Sequence, residues 1–220
     1  MCKQSHPQLL PLGSNEDYSL HKWVVSPGNE IAYRWVIQAP QLAASRMAYI
    51  SGESGKTHLA CIFVRLLNGA LIQSPSGLPR DLLEGLDCVA IDSVDDFDEQ
   101  WLFDAFNILK ERNAYALFTS KRPVQNFILS DLRSRMMSIP SFKLGELDDE
   151  LMRNVAIKRF SDLGMSIDDD SLTYLLMRIP RSFTAINEWV TRLDESSSML
   201  KRKISRSMIR GLLDEVGNER

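Results

Sequence analysis

Residues Gly52-Glu53-Ser54-Gly55-Lys56-Thr57 set two glycines, a lysine and a threonine hydroxyl within six positions, where an apolar run gives way to an amphipathic one. Such a segment can wrap a phosphate. Backbone amides and a helix N-terminus supply donors, the lysine reaches the outer phosphates, and the threonine hydroxyl holds Mg²⁺. Glycines are needed because backbone must approach oxygen closely. The full pattern, G-x-x-x-x-G-K-S/T, separates its glycines by four residues, whereas only Glu53 and Ser54 lie between Gly52 and Gly55. A shorter arc has fewer amides to encircle a triphosphate, and Glu53 adds a like charge, so nucleotide affinity is expected to be reduced or lost. A tight strand-to-helix turn that holds nothing would use the same residues.

Asp92 follows the apolar run Cys88-Val89-Ala90-Ile91. An aspartate so placed beyond a phosphate loop binds Mg²⁺ directly or through water; capping a turn or helix is its other use. Hydrolysis also requires an acid in the next position to orient water, and that residue is Ser93. Negligible intrinsic ATPase activity is therefore expected. Asp95 and Asp96 are expected to solvate the following turn. The three histidines are dispersed, with His58 just inside the helix after the loop, and form no metal cluster. Cys2, Cys61 and Cys88 are odd in number and far apart, which suggests neither zinc nor a disulfide framework; Cys61 and Cys88 read as small hydrophobes. No serine or cysteine sits in a nucleophile arrangement.

The elements that must position these residues follow from apolar periodicity. Ile31–Val36 reads as a short helix opened by Asn29, Arg46–Ser51 as a strand, and Thr57–Leu67 as a helix. Ala70–Ser74 is a second short strand and Cys88–Ile91 a buried one. Trp101–Glu111 is an amphipathic helix, and Tyr115–Phe118 another strand, stopping at Thr119-Ser120. Strands alternating with helices imply an α/β fold, a parallel sheet flanked by helices. Beyond Leu147 the strands vanish and helices are expected over Asp149–Leu163, Asp169–Ile179 and Ser182–Leu193, with a fourth from Ser205 as N-cap. The organisation is thus a polar, Pro- and Gly-punctuated tail over 1–22, an α/β domain over 23–146 and a smaller all-α domain over 147–220.

With 220 residues, 44% of them apolar and 25% charged, the chain has the composition of a globular protein. Its formal net charge of −3 provides no global basic field for nucleic acid. No apolar run approaches the roughly 20 residues of a membrane helix, and the start lacks the apolar core of a signal peptide. A cytoplasmic protein is expected.

The order of these motifs resembles the AAA+ module of the DnaA family, over nearly the whole chain from about Tyr18. Trp23-Val24-Val25-Ser26-Pro27-Gly28-Asn29 resembles the family's adenine-contacting leading segment, so the resemblance implies nucleotide contacts from Val24, Val25 and Asn29 besides Gly52, Gly55, Lys56 and Thr57. Thr119 matches the sensor 1 position and Asp92 the Walker B aspartate, with Thr57 and Asp92 the Mg²⁺ ligands. Asp131-Leu132-Arg133-Ser134-Arg135-Met136 resembles the family's D-L-x-S-R-L element, whose second arginine, here Arg135, is the finger that reaches a neighbouring subunit's nucleotide. Without that resemblance, Arg133 and Arg135 read as a solvated helix face. Arg181, after Pro180, matches the sensor 2 arginine. Gln8-Leu9-Leu10-Pro11-Leu12 resembles the clamp-binding peptide Q-L-x-L-P-L of DnaA-related regulators, with one residue fewer.

The resemblance implies the AAA+ P-loop NTPase fold with a helical lid. It implies a regulator of bacterial replication initiation that works with DnaA and the polymerase sliding clamp and offers Arg135 in trans to ATP held by DnaA. ADP or ATP with Mg²⁺ would bind weakly or not at all. A homodimer is compatible with the family. Direct sequence-specific DNA binding is not expected, because no DNA-reading helix-turn-helix follows. Two other readings remain: a DnaC-like helicase-loading NTPase, which needs a competent loop, and a nucleotide-free adaptor built on the AAA+ shape.

Overall fold

The computed structural model describes residues 18–41, 45–74, 80–200 and 204–218; the clamp-peptide residues Gln8, Leu9, Leu10, Pro11 and Leu12 lie outside them. The chain divides into two units, Met1–Glu146 and Leu147–Arg220.

The first unit is built on five parallel strands, β1 (Met47–Ser51), β2 (Ala70–Ile72), β3 (Cys88–Ile91), β4 (Tyr115–Ser120) and β5 (Ser141–Lys143), in the order β2-β3-β4-β1-β5. Every residue of β1 and β3 is buried, as expected of parallel strands covered on both faces. Alternation decides which face each residue serves. Met47 and Tyr49 join one core with Val89, Ile91, Phe106, Phe118, Leu132 and Met136. Ala48 and Ile50 join the other with Leu59, Phe63, Ala90 and Leu117. The helices of this unit are α1 (Glu30–Gln38), α2 (Lys56–Leu66), α3 (Glu99–Glu111) and α4 (Ser130–Met137).

Several boundaries differ from the sequence reading for local physical reasons. β2 ends at Ile72, and β4 continues through Thr119 and Ser120 because both stay in register with Ile50 and Ser51 of β1. β5 was not foreseen: three residues of the pattern exposed, half-buried, exposed carry almost no apolar signal. Helix α3 starts at Glu99, two residues early, because the Asp98 carboxylate accepts a hydrogen bond from the Trp101 amide at 2.9 Å. Asn29 stands at the N-cap position of α1, its carbonyl accepting from Tyr33 N at 3.0 Å, but its side chain makes no cap bond. Its amide points back, accepting from Ser26 N and donating to Val24 O, both at 3.0 Å.

The second unit contains α5 (Asp149–Asp162), α6 (Asp169–Leu176), α7 (Phe183–Leu200) and α8 (Arg206–Asn218). Asp148 caps α5 through Leu151 N (2.7 Å) and Asp168 caps α6 through Ser171 N (2.8 Å). The apolar stripe continues into a core of Leu151, Met152, Phe160, Leu172, Ile186 and Leu193. Helix α6 ends at Leu176, three residues short of the expected end, while α7 runs on through Ser196–Ser198. Among the described residues, no helix is long and apolar enough to cross a membrane.

Cys61 and Cys88 are buried, and burial pushes their thiols up from 9.0 to about 11 and about 12. Both are expected to resist a disulfide reagent at pH 8 in the folded chain and to react once urea unfolds it, as read by mass spectrometry of labelled peptides. Since the folded-state values are raised, the folded chain holds more protons above pH 9. Their contribution to stability is therefore complete below about pH 9 and falls as pH rises towards 12. A urea midpoint as high at pH 10 as at pH 8 would contradict this.

Candidate functional site

The carboxyl ends of β1, β3 and β4 converge, the usual place for a ligand on an open parallel sheet. β1 runs into the turn Gly52-Glu53-Ser54-Gly55, and α2 begins at Lys56. Gly52 (φ +138°) and Gly55 (φ +90°) adopt conformations that L side chains rarely take. Each also faces a near neighbour within the chain. A Cβ on Gly52 would lie 2.9 Å from the Cβ and carbonyl oxygen of Leu144, and one on Gly55 would lie 3.2 Å from the Trp23 ring. The turn is pinned to the sheet by Gly52 N donating to Ser120 O (3.2 Å) and Leu144 N donating to Ser51 O (2.7 Å).

Lys56 is 6% exposed. Its ammonium folds back into the turn and donates to the carbonyl oxygens of Gly52 and, at 3.1 Å, Glu53. Burial lowers its pKa from 10.5, against opposing pulls from the Asp92 and Glu53 carboxylates. Two loop carbonyls thus hold the ammonium that a phosphate loop offers to phosphate oxygens.

Asp92, 3% exposed, is the hub of a second group. One carboxylate oxygen accepts from Thr57 Oγ1 (2.8 Å) and Gln73 Nε2 (3.3 Å), and the other from Thr119 Oγ1. Thr119 in turn accepts from Ser93 N at 3.0 Å. Ser93 takes a left-handed conformation (φ +58°) in doing so, costing about 1–2 kcal/mol that the surrounding bonds offset. The structure therefore brings Thr57, Asp92 and Thr119 together. Gln73 completes the group unannounced, because its sequence position carries no motif.

The leading segment is held by Asn29, whose two bonds close the loop from Val24 to Ser26. Val24 is half-buried and Val25 exposed. Trp23 stacks on Tyr33 (6.0 Å, 4°) and meets His58 edge-on (5.2 Å, 84°). His58 also bonds to Ser19 O at 3.1 Å, so from the first turn of α2 it packs against the leading segment. Arg181 lies in the second unit, bonded to Asp149 at the start of α5.

A further set of contacts ties Asp95 to the carboxyl end of β4. Asp95 does not merely solvate its turn. It accepts from Ser120 Oγ (2.8 Å) and Lys121 N (2.7 Å) and pairs with Arg122 Nε (3.5 Å). Arg133 and Arg135, equivalent on paper, are used differently. Arg133 Nη1 donates to Phe127 O at 3.0 Å, bracing the approach to α4, whereas the Arg135 guanidinium lies 5.2 Å from the centre of the Phe103 ring.

These residue types are those a magnesium nucleotide requires, and they are engaged with one another. The Lys56 ammonium is engaged with two carbonyls, Thr57 and Thr119 with Asp92, and the two glycines abut Leu144 and Trp23. Among the described residues, no group of three or more His, Cys, Asp or Glu could hold a metal ion.

The chain has the α/β AAA+ fold, a parallel five-stranded sheet flanked by helices. Among solved structures it is similar to domain III of the replication initiation protein DnaA from Thermotoga maritima, with a TM-score of 0.76 at 20% identity over 91% of this chain and 97% of that one. AMPPCP-bound DnaA from Aquifex aeolicus gives a TM-score of 0.68 at 18% identity over 80% of this chain and 64% of that one. The RuvB Holliday junction branch migration motor of Thermotoga maritima gives 0.70 at 16% identity over 91% and 72%. Likeness at these identities shows the fold. No family model matches the sequence.

Proposed function

We propose that the chain acts in the manner of Hda, the DnaA-related regulator, promoting with the sliding clamp the hydrolysis of ATP held by DnaA. Arg135 is the group supplied in trans, and Gln8, Leu9, Leu10, Pro11 and Leu12 are the clamp-binding peptide. The contrast between the two arginines carries this reading. Arg133 spends a donor on Phe127 O, while the Arg135 guanidinium carbon lies 5.2 Å over the Phe103 ring, and a cation–π contact, unlike a hydrogen bond to a carbonyl, leaves N–H donors for a phosphate. Likeness to domain III of the replication initiation protein DnaA supports the setting.

The chain's own loop is read as structural. Binding ADP or ATP with Mg²⁺, by analogy with AMPPCP-bound DnaA, would require Lys56 to exchange two carbonyls for phosphate oxygens and Asp92 to release Thr57. Val24, Val25 and Asn29 would meet the base, and Arg181 the phosphates. The same closed loop disfavours a DnaC-like helicase-loading NTPase and supports a nucleotide-free adaptor as the second reading. A cytoplasmic location and self-association belong to the proposal as well.

The test is single-turnover hydrolysis of ATP preloaded on DnaA, in the presence of clamp loaded on DNA. The full chain is expected to accelerate hydrolysis, and a chain lacking residues 1–12 to lose most of that acceleration. A full chain that binds clamp but accelerates nothing would leave the adaptor reading in its place.

A further inference from the structure

Helix α3 packs against α4, and two of its residues one turn apart, Glu99 and Phe103, take hold of both ends of the arginine-bearing segment. Glu99 stands in the first turn of α3. Its two carboxylate oxygens accept from the backbone amides of Ile128 (3.0 Å) and Leu129 (2.6 Å), the last two residues before α4. Those amides precede the helix and have no intrahelical acceptor, so a bidentate carboxylate fixes where α4 begins. Four residues further along α3, and so on the same face, the Phe103 ring lies under the Arg135 guanidinium at 5.2 Å. An aromatic face within about 6 Å of a cation attracts it and limits its rotamers. One helix therefore sets the start of the arginine helix and the direction of its guanidinium.

We propose that Phe103 and Glu99 are positioning residues for Arg135, holding its guanidinium ready for the phosphate of a partner's nucleotide. This rests on the in-trans reading of Arg135. Preorganisation acts on the rate of the assembled complex: an arginine already aimed loses less rotamer freedom when charge develops on the transferring group. The role needs the π face of residue 103, not merely its bulk, which separates it from ordinary packing.

Four variants, Phe103→Leu, Phe103→Tyr, Glu99→Gln and Arg135→Ala, are compared in the stimulated hydrolysis assay, with maximal rate and half-saturating concentration read separately. The free chain is followed by the NMR signal of the Arg135 Nε–H group, whose shift reports the ring above which it lies. Phe103→Leu is expected to lower the maximal rate about fivefold, the size of a part-exposed cation–π contact, with the half-saturating concentration unchanged and the Nε–H signal moved. Phe103→Tyr is expected to restore both to within about twofold. Glu99→Gln, which offers one acceptor where two amides need one each, is expected to lower the maximal rate while thermal unfolding shows a folded chain.

The proposal is overturned if Phe103→Leu keeps the wild-type maximal rate while Arg135→Ala loses it. It is also overturned if Tyr does no better than Leu, or if the variants raise only the half-saturating concentration. If instead Arg135→Ala is as active as wild type, or wild type stimulates nothing, the in-trans reading itself fails and this role with it.

Discussion

Replacing Arg135 with alanine is expected to abolish stimulation of ATP hydrolysis by DnaA, a loss on the order of 10³-fold or more in the partner's rate, the effect of withdrawing an arginine finger. Arg135→Lys is expected to recover little, since an ammonium is a point charge without the planar fork. Arg133→Ala provides the internal control. That guanidinium holds the Phe127 carbonyl, so its removal is expected to lower stability modestly and rate only as far as α4 shifts. Quenched-flow measurement on preloaded DnaA with clamp on DNA separates the two. If Arg133→Ala abolished stimulation and Arg135→Ala were silent, the assignment would have to pass two residues back along the helix, to its other side. If both were silent, the adaptor reading would stand.

Asp92 is expected to matter to folding more than to any chemistry in this chain. Three side-chain donors, from Thr57, Gln73 and Thr119, converge on its carboxylate in a buried position. Asp92→Ala leaves them short of an acceptor and is expected to cost about 2–4 kcal/mol, given net values for hydrogen bonds to charged groups and the penalty for buried unpaired ones. Asp92→Asn keeps one carbonyl oxygen and is expected to cost about 1 kcal/mol, because the hydroxyl of Thr57 can accept where it formerly donated. Urea denaturation followed by tryptophan fluorescence measures both. A working Mg²⁺ site behaves otherwise, its carboxylate being held in readiness for a cation, with removal affecting turnover. An Asp92→Ala midpoint equal to wild type, together with measurable ATPase activity of the isolated wild-type chain, would show that this carboxylate serves catalysis instead.

The parts of the fold that could be read from the sequence are those whose signal is local. β1, β3 and β4 are runs of buried apolar residues and announce themselves. The helices of the second unit follow from their apolar stripes, whereas the caps Asp148 and Asp168 came to light in the structure. β5 could not be read, because an edge strand of three residues with both ends exposed is specified by its neighbour β1. The same holds at the site. Gly52 to Thr57 and Asp92 were recognisable by type and spacing, but their engagement with one another was not. The shortened turn lets Lys56 reach its own carbonyls, a closure that depends on the path of the backbone. Asp95 reads from the sequence as an acid solvating a turn, and Glu99 carries no motif. Their partners lie 25 to 30 residues further along the chain, and only the fold brings them within reach.

The two glycines of the turn have a bearing on inheritance. Gly52 is required by the closeness of Leu144 and Gly55 by the ring of Trp23, and both by their positive φ angles. Selection for a chain that folds would on its own preserve them, and with them the lysine that closes the turn. A lineage could abandon nucleotide altogether and still pass on the lettering of a phosphate loop, much as a spelling outlasts a sound no longer pronounced.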